Sequence, residues 1–300
     1  MKPHHIPCIS ASVLLMAAAA ATAATVAFDN SNSDNNWAVG VNWNTDSVPD
    51  AGSDASVVAL VNNGNSANVL SAVPDVATVR IGNNSNGGTV DIQTGGSLTA
   101  TLATQIATAN ASTGTLNISG GTMSAASLQV AANQATATTG SVNITAGALA
   151  WTNGNVGTQG TGRINITGDT ATVSGSNLTL GSGGGLSFTL NTTGVSQISL
   201  AGLFSISATA LLDIDMLAYM GDSATLTLVD TNSTLTGNFA SGNISIATPV
   251  GYSASVLQDT DNGLVQLEIT AIPEPDIAAL LGGFGMLMLV GHRSRRVGRG

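Results

Sequence analysis

The sequence predicts an all-β chain wound as a right-handed parallel β-helix, and three observations carry that prediction. Four segments recur: Gly88-TVDIQTGGSL, Gly114-TLNISGGTM, Gly140-SVNITAGAL and Gly162-RINITGDTA, with leading glycines 26, 26 and 22 residues apart. That is the length of one solenoid coil. In each segment the second and fourth residues after the glycine are apolar (Val90/Ile92, Leu116/Ile118, Val142/Ile144, Ile164/Ile166) and the residue between them is polar (Asp91, Asn117, Asn143, Asn165). Alternation of period two is a strand with one buried face. Thr, Ser, Asn and Gly fill the positions that a helix would give to Ala, Glu and Lys. Low charge and regular apolar pairs argue against wholesale disorder, the other alternative.

The remaining elements follow from the repeat. Small pairs (Gly95-Gly96, Gly120-Gly121, Ala146-Gly147, Gly168-Asp169) mark a turn, after which comes a further apolar position: Leu98, Met123, Leu149, and Ala171 or Val173. Each coil thus reads as strand, tight turn, strand. A weaker fifth member, Gly185-LSFTLNTTG, begins 23 residues after Gly162. One coil cannot bury its own apolar face, so copies must stack with strands about 4.8 Å apart. Stacking puts Asp91, Asn117, Asn143 and Asn165 in one column, where amides bond up and down. Three of these fall in Asn-x-Ser/Thr triplets. Glycosylation is the alternative reading of them, but repetition at coil spacing explains them more simply.

Terminal coils need covers. Residues 28–55, with Trp37 and Trp43, read as the N-terminal cap, and an aromatic platform for sugar is the alternative. The β-helix body is assigned to 56–270, where Leu211-Leu-Asp-Ile-Asp215, Thr225-Leu-Thr-Leu-Val229, Asn243-Ile-Ser-Ile246 and Leu264-Val-Gln-Leu-Glu-Ile269 are last coils or a small closing sheet.

Composition bounds the chemistry. Of 300 residues 8% are charged, 3% are aromatic and 36 are glycine, so the core is thin and built of Val, Ile, Leu and Ala. Between Phe28 and Thr270 two arginines, Arg80 and Arg163, face fifteen acids, a net charge of −13. That body offers no basic stripe to phosphates, which argues against a nucleic-acid partner. The three histidines, His4, His5 and His292, are terminal and the one cysteine is Cys8. Ser-His-Asp and Cys-His catalysis and ordinary zinc sites therefore have no candidates in the body. Asp213/Asp215 and Asp259/Asp261 are each spaced two apart and would point to one side of a strand. They could share Ca²⁺, although two carboxylates are too few alone, and solvated acids are the better reading. No catalytic, metal or cofactor residue is assigned. Polysaccharide cleavage would need facing carboxylates, and nothing brings Asp91 and Asp169 together.

The two ends read as addresses. Lys2, His4 and His5 precede the apolar stretch 13–21, followed by Ala21-Thr22-Ala23. This is a secretory signal peptide over 1–24, too short for a spanning helix. Cleavage removes Cys8, which precedes the apolar stretch and is not placed as a lipid acceptor. At the other end, over 271–300, come Pro273-Glu274-Pro275, the apolar run 277–290 (IAALLGGFGMLMLV), and then His292, Arg293, Arg295, Arg296 and Arg299. The apolar run is a single short transmembrane helix, with the arginines holding its end in the cytoplasm.

This tail resembles the PEP-CTERM sorting signal of Gram-negative bacteria, which combines a late Pro-Glu-Pro, one short hydrophobic helix and a terminal Arg cluster. The resemblance implies processing by an exosortase near Pro273, Glu274 and Pro275, and a role at the cell surface or in exopolysaccharide matrix. Asp276 departs from the small or hydroxylated residue more usual there. A plain membrane anchor is the alternative. The repeats are similar to the Gly- and Thr-rich coils of autotransporter passengers and of many PEP-CTERM proteins, a likeness of shape covering about 55–200. No run of amphipathic barrel strands follows, so an autotransporter is not expected. The function read from the sequence is a secreted structural or adhesive protein, not an enzyme. The alternatives are a carbohydrate-binding adhesin or a polysaccharide-active enzyme.

Overall fold

The computed structural model describes residues 23–84, 86–109, 111–132 and 138–272. Most of the expected signal peptide, the motif Pro273, Glu274, Pro275, the apolar segment 277–290 and Arg293, Arg295, Arg296 and Arg299 lie outside the described residues. Within them, a 19-stranded hydrogen-bonded network winds into a β-solenoid of about six turns. Among the described residues helix is confined to the 3-10 turns Gly40–Asn42 and Ser241–Asn243.

The predicted stack is present. The strands carrying Val90, Leu116, Val142 and Ile164 pair in parallel in that register, and all four side chains are fully buried. The column extends upward through Ala67 and downward through Leu186 and Leu212. The fifth repeat begins one residue earlier than its sequence suggests. Gly184, not Gly185, pairs with Gly162, which sets Leu186 and Phe188 beneath Ile164 and Ile166.

The two-strand coil expected from the sequence is corrected to a three-sided one. The asparagine column marks the first face. A second face, here called the hydroxyl face, stacks 97–100, 122–125, 148–151, 171–175 and Ile198–Leu200. A third stacks Thr25–Phe28, Val58–Val61, Val76–Ile81 and the ends of later strands, with Val79, Leu128, Leu178 and Phe204 pointing inward. Thr113–Val130 and Thr139–Val156 each run 18 residues round two corners without leaving the strand. The corner between the second and third faces falls at Leu102, Ala126 and Thr152, where no glycine or proline punctuates the sequence. Pattern reading lacks a break there.

The leading glycines follow from space. A Cβ on Gly88 would lie 2.2 Å from the carbonyl oxygen of Val61, on Gly114 2.4 Å from that of Ile81, on Gly162 2.6 Å from that of Val130 and on Gly184 2.3 Å from that of Val156. Each of these four coils begins where its backbone presses on the last strand of an earlier turn, and only hydrogen fits; Gly140 is held less tightly, a Cβ there meeting Val130 Cγ1 at 2.9 Å and Ile106 O at 3.1 Å. None of these four has positive φ, so the constraint is close approach and not a left-handed turn.

Polar ladders run down the outside. Asn165 Nδ2 donates to Asn143 Oδ1 (2.7 Å), Asn143 Nδ2 to Asn117 Oδ1 (2.8 Å), and Asn117 Nδ2 to Asp91 Oδ1. Every amide in this column points the same way, toward a carboxylate that can only accept. On the third face Arg80 Nε donates to Gln105 Oε1 (2.8 Å) and Gln105 Nε2 to Gln129 Oε1 (3.2 Å).

The two ends close differently. At the first, residues after Phe28 fold back over the open coil. Phe28 bridges Trp43, the Asn44 N–H donates to Ala27 O (2.9 Å), and the Trp37 N–H donates to Asn68 O (2.9 Å). Trp43 packs edge-on against Phe28 and Trp37 at 5.1 and 4.7 Å, and its indole N–H donates to Trp37 O (2.8 Å). At the other end Ala224–Thr231 continues the hydroxyl face, with Leu264–Ala271 and then Tyr252–Asp259 added antiparallel. Gln258 clamps this hairpin by accepting from the Phe239 N–H (2.7 Å) and donating to Phe239 O (3.0 Å). Among the described residues Ile244–Ala247 pairs with Leu211–Asp215 alone, leaving its outer edge open.

Candidate functional site

The candidate surface is the hydroxyl face. Its outward positions carry Ser97 beside Thr122, and Thr99, Ser124, Ala150, Ser174 and Ser199 in one file. Hydroxyls bond from coil to coil: Thr122 Oγ1 donates to Ser97 Oγ (3.0 Å) and Ser124 Oγ to Thr99 Oγ1 (3.3 Å). Two shallow, open grooves lie on it. One, about 500 Å³, crosses three coils at the corner with the third face and is lined by Thr99, Thr101, Ser124, Ala125, Trp151 and Thr152 among others. The other, about 330 Å³, lies over the next coils and is lined by Asp169, Thr172, Ser174, Ser196, Gln197 and Ser199 among others.

Trp151 shapes the first groove from below. Its ring is buried, and its indole N–H donates to Asn177 O one coil further on (2.9 Å). Gly175 makes that possible, because a Cβ there would come within 2.4 Å of the indole. The ring thus supplies a firm floor and not an exposed stacking face. Sequence reading passed over this surface because its outward residues are small. The signal was the recurrent Ser/Thr two apart in S-L-T, T-M-S and T-V-S.

Asp169 borders the second groove. Asn191 Nδ2 (2.7 Å) and Thr193 Oγ1 (2.8 Å) donate to its two oxygens. Those two bonds, Thr193 first, hold its pKa below the ordinary 3.8. It is a charged acceptor at neutral pH and no proton donor.

The other singled-out residues are dispersed. Trp37 and Trp43 are fully buried, so neither presents a ring to a sugar. Arg163 Nη1 donates to Gly162 O (3.2 Å) and Gly183 O (3.3 Å), and Asp91 lies in the amide ladder. Asp259 caps its own turn, accepting from Asn262 and the Asp261 N–H, while Asp215 accepts from the Leu217 N–H. Among the described residues no cluster of three or more metal-ligating side chains occurs, and no helix is long and apolar enough to cross a membrane. What the grooves offer is hydroxyl donors and acceptors, one fixed carboxylate and apolar patches of alanine. Such a surface offers an extended polar chain hydrogen-bond partners along the stack.

No protein-family model matches the chain, and neither the curated proteins nor the solved structures yield a significant match.

Proposed function

We propose that this chain is a secreted, exosortase-sorted structural or adhesive protein of the cell surface or exopolysaccharide matrix of a Gram-negative bacterium. The observation that carries the reading is the hydroxyl face: two uncharged to weakly acidic grooves in file on a stiff solenoid, lined for hydrogen bonding and without an acid–base pair. A neutral or hydroxyl-rich polymer is the ligand class such a face fits. The sorting half of the proposal rests on the sequence of the tail, Pro273-Glu274-Pro275 with the apolar run and Arg293, Arg295, Arg296 and Arg299. On this reading a signal peptide exports the chain, and a transmembrane helix over 277–290 holds it for an exosortase. The coil is right-handed, the hand that parallel crossovers nearly always take.

Two experiments test it. In cells carrying an exosortase, Glu274→Ala leaves the full-length precursor in the membrane while the parent is processed; equal processing overturns the sorting claim. Residues 24–272 are screened on a glycan array with and without Ca²⁺. Binding to neutral glycans that Ser124→Asp and Ser174→Asp abolish supports the adhesin form of the reading, whereas turnover of a glycan would replace it with an enzyme.

A further inference from the structure

The exit corner of the solenoid brings together segments that carry exposed apolar side chains. Leu217 (61% exposed), Met220 (75%), Val250 (102%) and Ile272 (54%) are four of its large hydrophobic side chains left in the open. They are distant in sequence, but hydrogen bonds tie their segments together. The Met216 N–H donates to Ala247 O (2.9 Å), the Ile272 N–H to Gly251 O (2.7 Å) and the Tyr252 hydroxyl to Gly221 O (2.8 Å). The two tyrosines of the sequence, Tyr219 and Tyr252, meet edge to face here at 5.8 Å. Scattered exposed apolar residues need no explanation, but a group of this kind does.

We infer that this corner rests on the outer surface of the lipid bilayer, with Leu217, Met220, Val250 and Ile272 immersed in the interfacial layer. The inference rests on the reading of 277–290 as a membrane anchor. The argument is one of reach. Ile272 is the last described residue, and the five steps from it to Ile277 cover at most about 18 Å of extended chain. The headgroup layer takes up roughly 5 to 8 Å of that. A body so tethered keeps its exit corner at the membrane, and Ile272, where the tether leaves, is itself one of the four exposed apolar residues. A body carrying net −13 between residues 28 and 270 is repelled by anionic headgroups, so the surface it suits is a zwitterionic one.

The test uses the full chain in vesicles of phosphatidylethanolamine and phosphatidylcholine, with Cys8→Ser and a single labelled cysteine. Val250→Cys, at the patch, is compared with Val41→Cys, which is 47% exposed in the cap at the opposite end. An environment-sensitive dye is read with and without bromine on the lipid acyl chains. Contact with the interface predicts emission at 250 that is blue-shifted and quenched at least about twofold more than at 41. Flotation with vesicles but water-like emission at 250 overturns the inference and leaves the anchor standing. Blue-shifted emission without bromine quenching means that another part of the chain covers the patch, and overturns it too. Failure to float overturns both readings.

Discussion

Replacing Asn143 by aspartate tests whether the amide column is a directed ladder. In the parent, Asn143 Nδ2 donates to Asn117 Oδ1 and Asn143 Oδ1 accepts from Asn165. Aspartate keeps the size and the acceptor but removes the donor, setting a carboxylate oxygen against Asn117 Oδ1. Asn117 cannot escape by turning its amide, because its Nδ2 already donates to Asp91. Turning would move the clash of two acceptors one rung up. The lost bond costs about 1 kcal/mol and the unpaired, half-buried acceptor about 1 to 3 more. The bond from Asn165 becomes charge-assisted and returns about 1 kcal/mol. Asp91 is two rungs away, about 10 Å, so like-charge repulsion in water adds only about 0.4 kcal/mol. The net loss is about 2 kcal/mol.

Thr145→Asp is the matched control. It adds the same charge two residues along the same strand, at an exposed position, and is expected to change stability by no more than about 0.5 kcal/mol. Urea unfolding of residues 24–272 followed by circular dichroism measures both, with equal slopes confirming that the same unit unfolds. Equal stability of the two variants, or Asn143→Asp as stable as the parent, would refute the directed ladder.

Three further outcomes follow from the same structure. Gly114→Ala drives a Cβ to 2.4 Å from Ile81 O and is expected to cost about 1 to 3 kcal/mol in urea unfolding, whereas Gly242→Ala, with nothing within 4 Å, is close to neutral. Trp43→Ala removes the ring that joins Phe28 to Trp37 and should cost about 3 to 5 kcal/mol, read as a lower unfolding midpoint and as early proteolysis near residues 29–47. Asp34, in the same cap, accepts first from the Asn36 N–H and then from Asn42 Nδ2, which hold its pKa below the ordinary 3.8. A depressed carboxyl stabilises the fold at pH above its unfolded value and loses that contribution as pH falls through the folded one. Acid titration followed by tryptophan fluorescence should therefore loosen the cap only below pH 3.8, and Asp34→Asn should flatten that step.

How much of this was legible in the sequence depends on where the determinants lie. The first face was readable because glycine, alternation and an aspartate or asparagine recur together at 88, 114, 140 and 162. Its polar column could be named residue by residue, since stacking in register leaves one partner for each amide. The third face was not readable, because its corners at Leu102, Ala126 and Thr152 bend within a continuing strand. The register is one residue off at Gly184 because Gly183, Gly184 and Gly185 are each pressed by another coil, so the run of three does not mark which of them pairs with Gly162. The grooves on the hydroxyl face were hidden for a related reason. Small residues carry little pattern, and the floor under one groove depends on Trp151 meeting Gly175 from the next coil.

The far end was the least legible part, and the reason is physical. Along the coils each strand finds its partner about one repeat away, so local pattern and tertiary contact agree. In the closing hairpin Leu264–Ala271 runs antiparallel against Ala224–Thr231, and the clamp from Gln258 reaches Phe239. The alternation there identifies strands but not their direction, since a strand with one buried face serves either sense. Antiparallel pairing lets the last strands fold over the coil instead of extending it, which covers Val265, Leu267 and Ile269. It does not cover Ile244–Ala247, whose four residues and half-buried isoleucines make a short edge. A short edge is one of the ways in which sheets avoid recruiting further strands, so the solenoid can end there without a full lid.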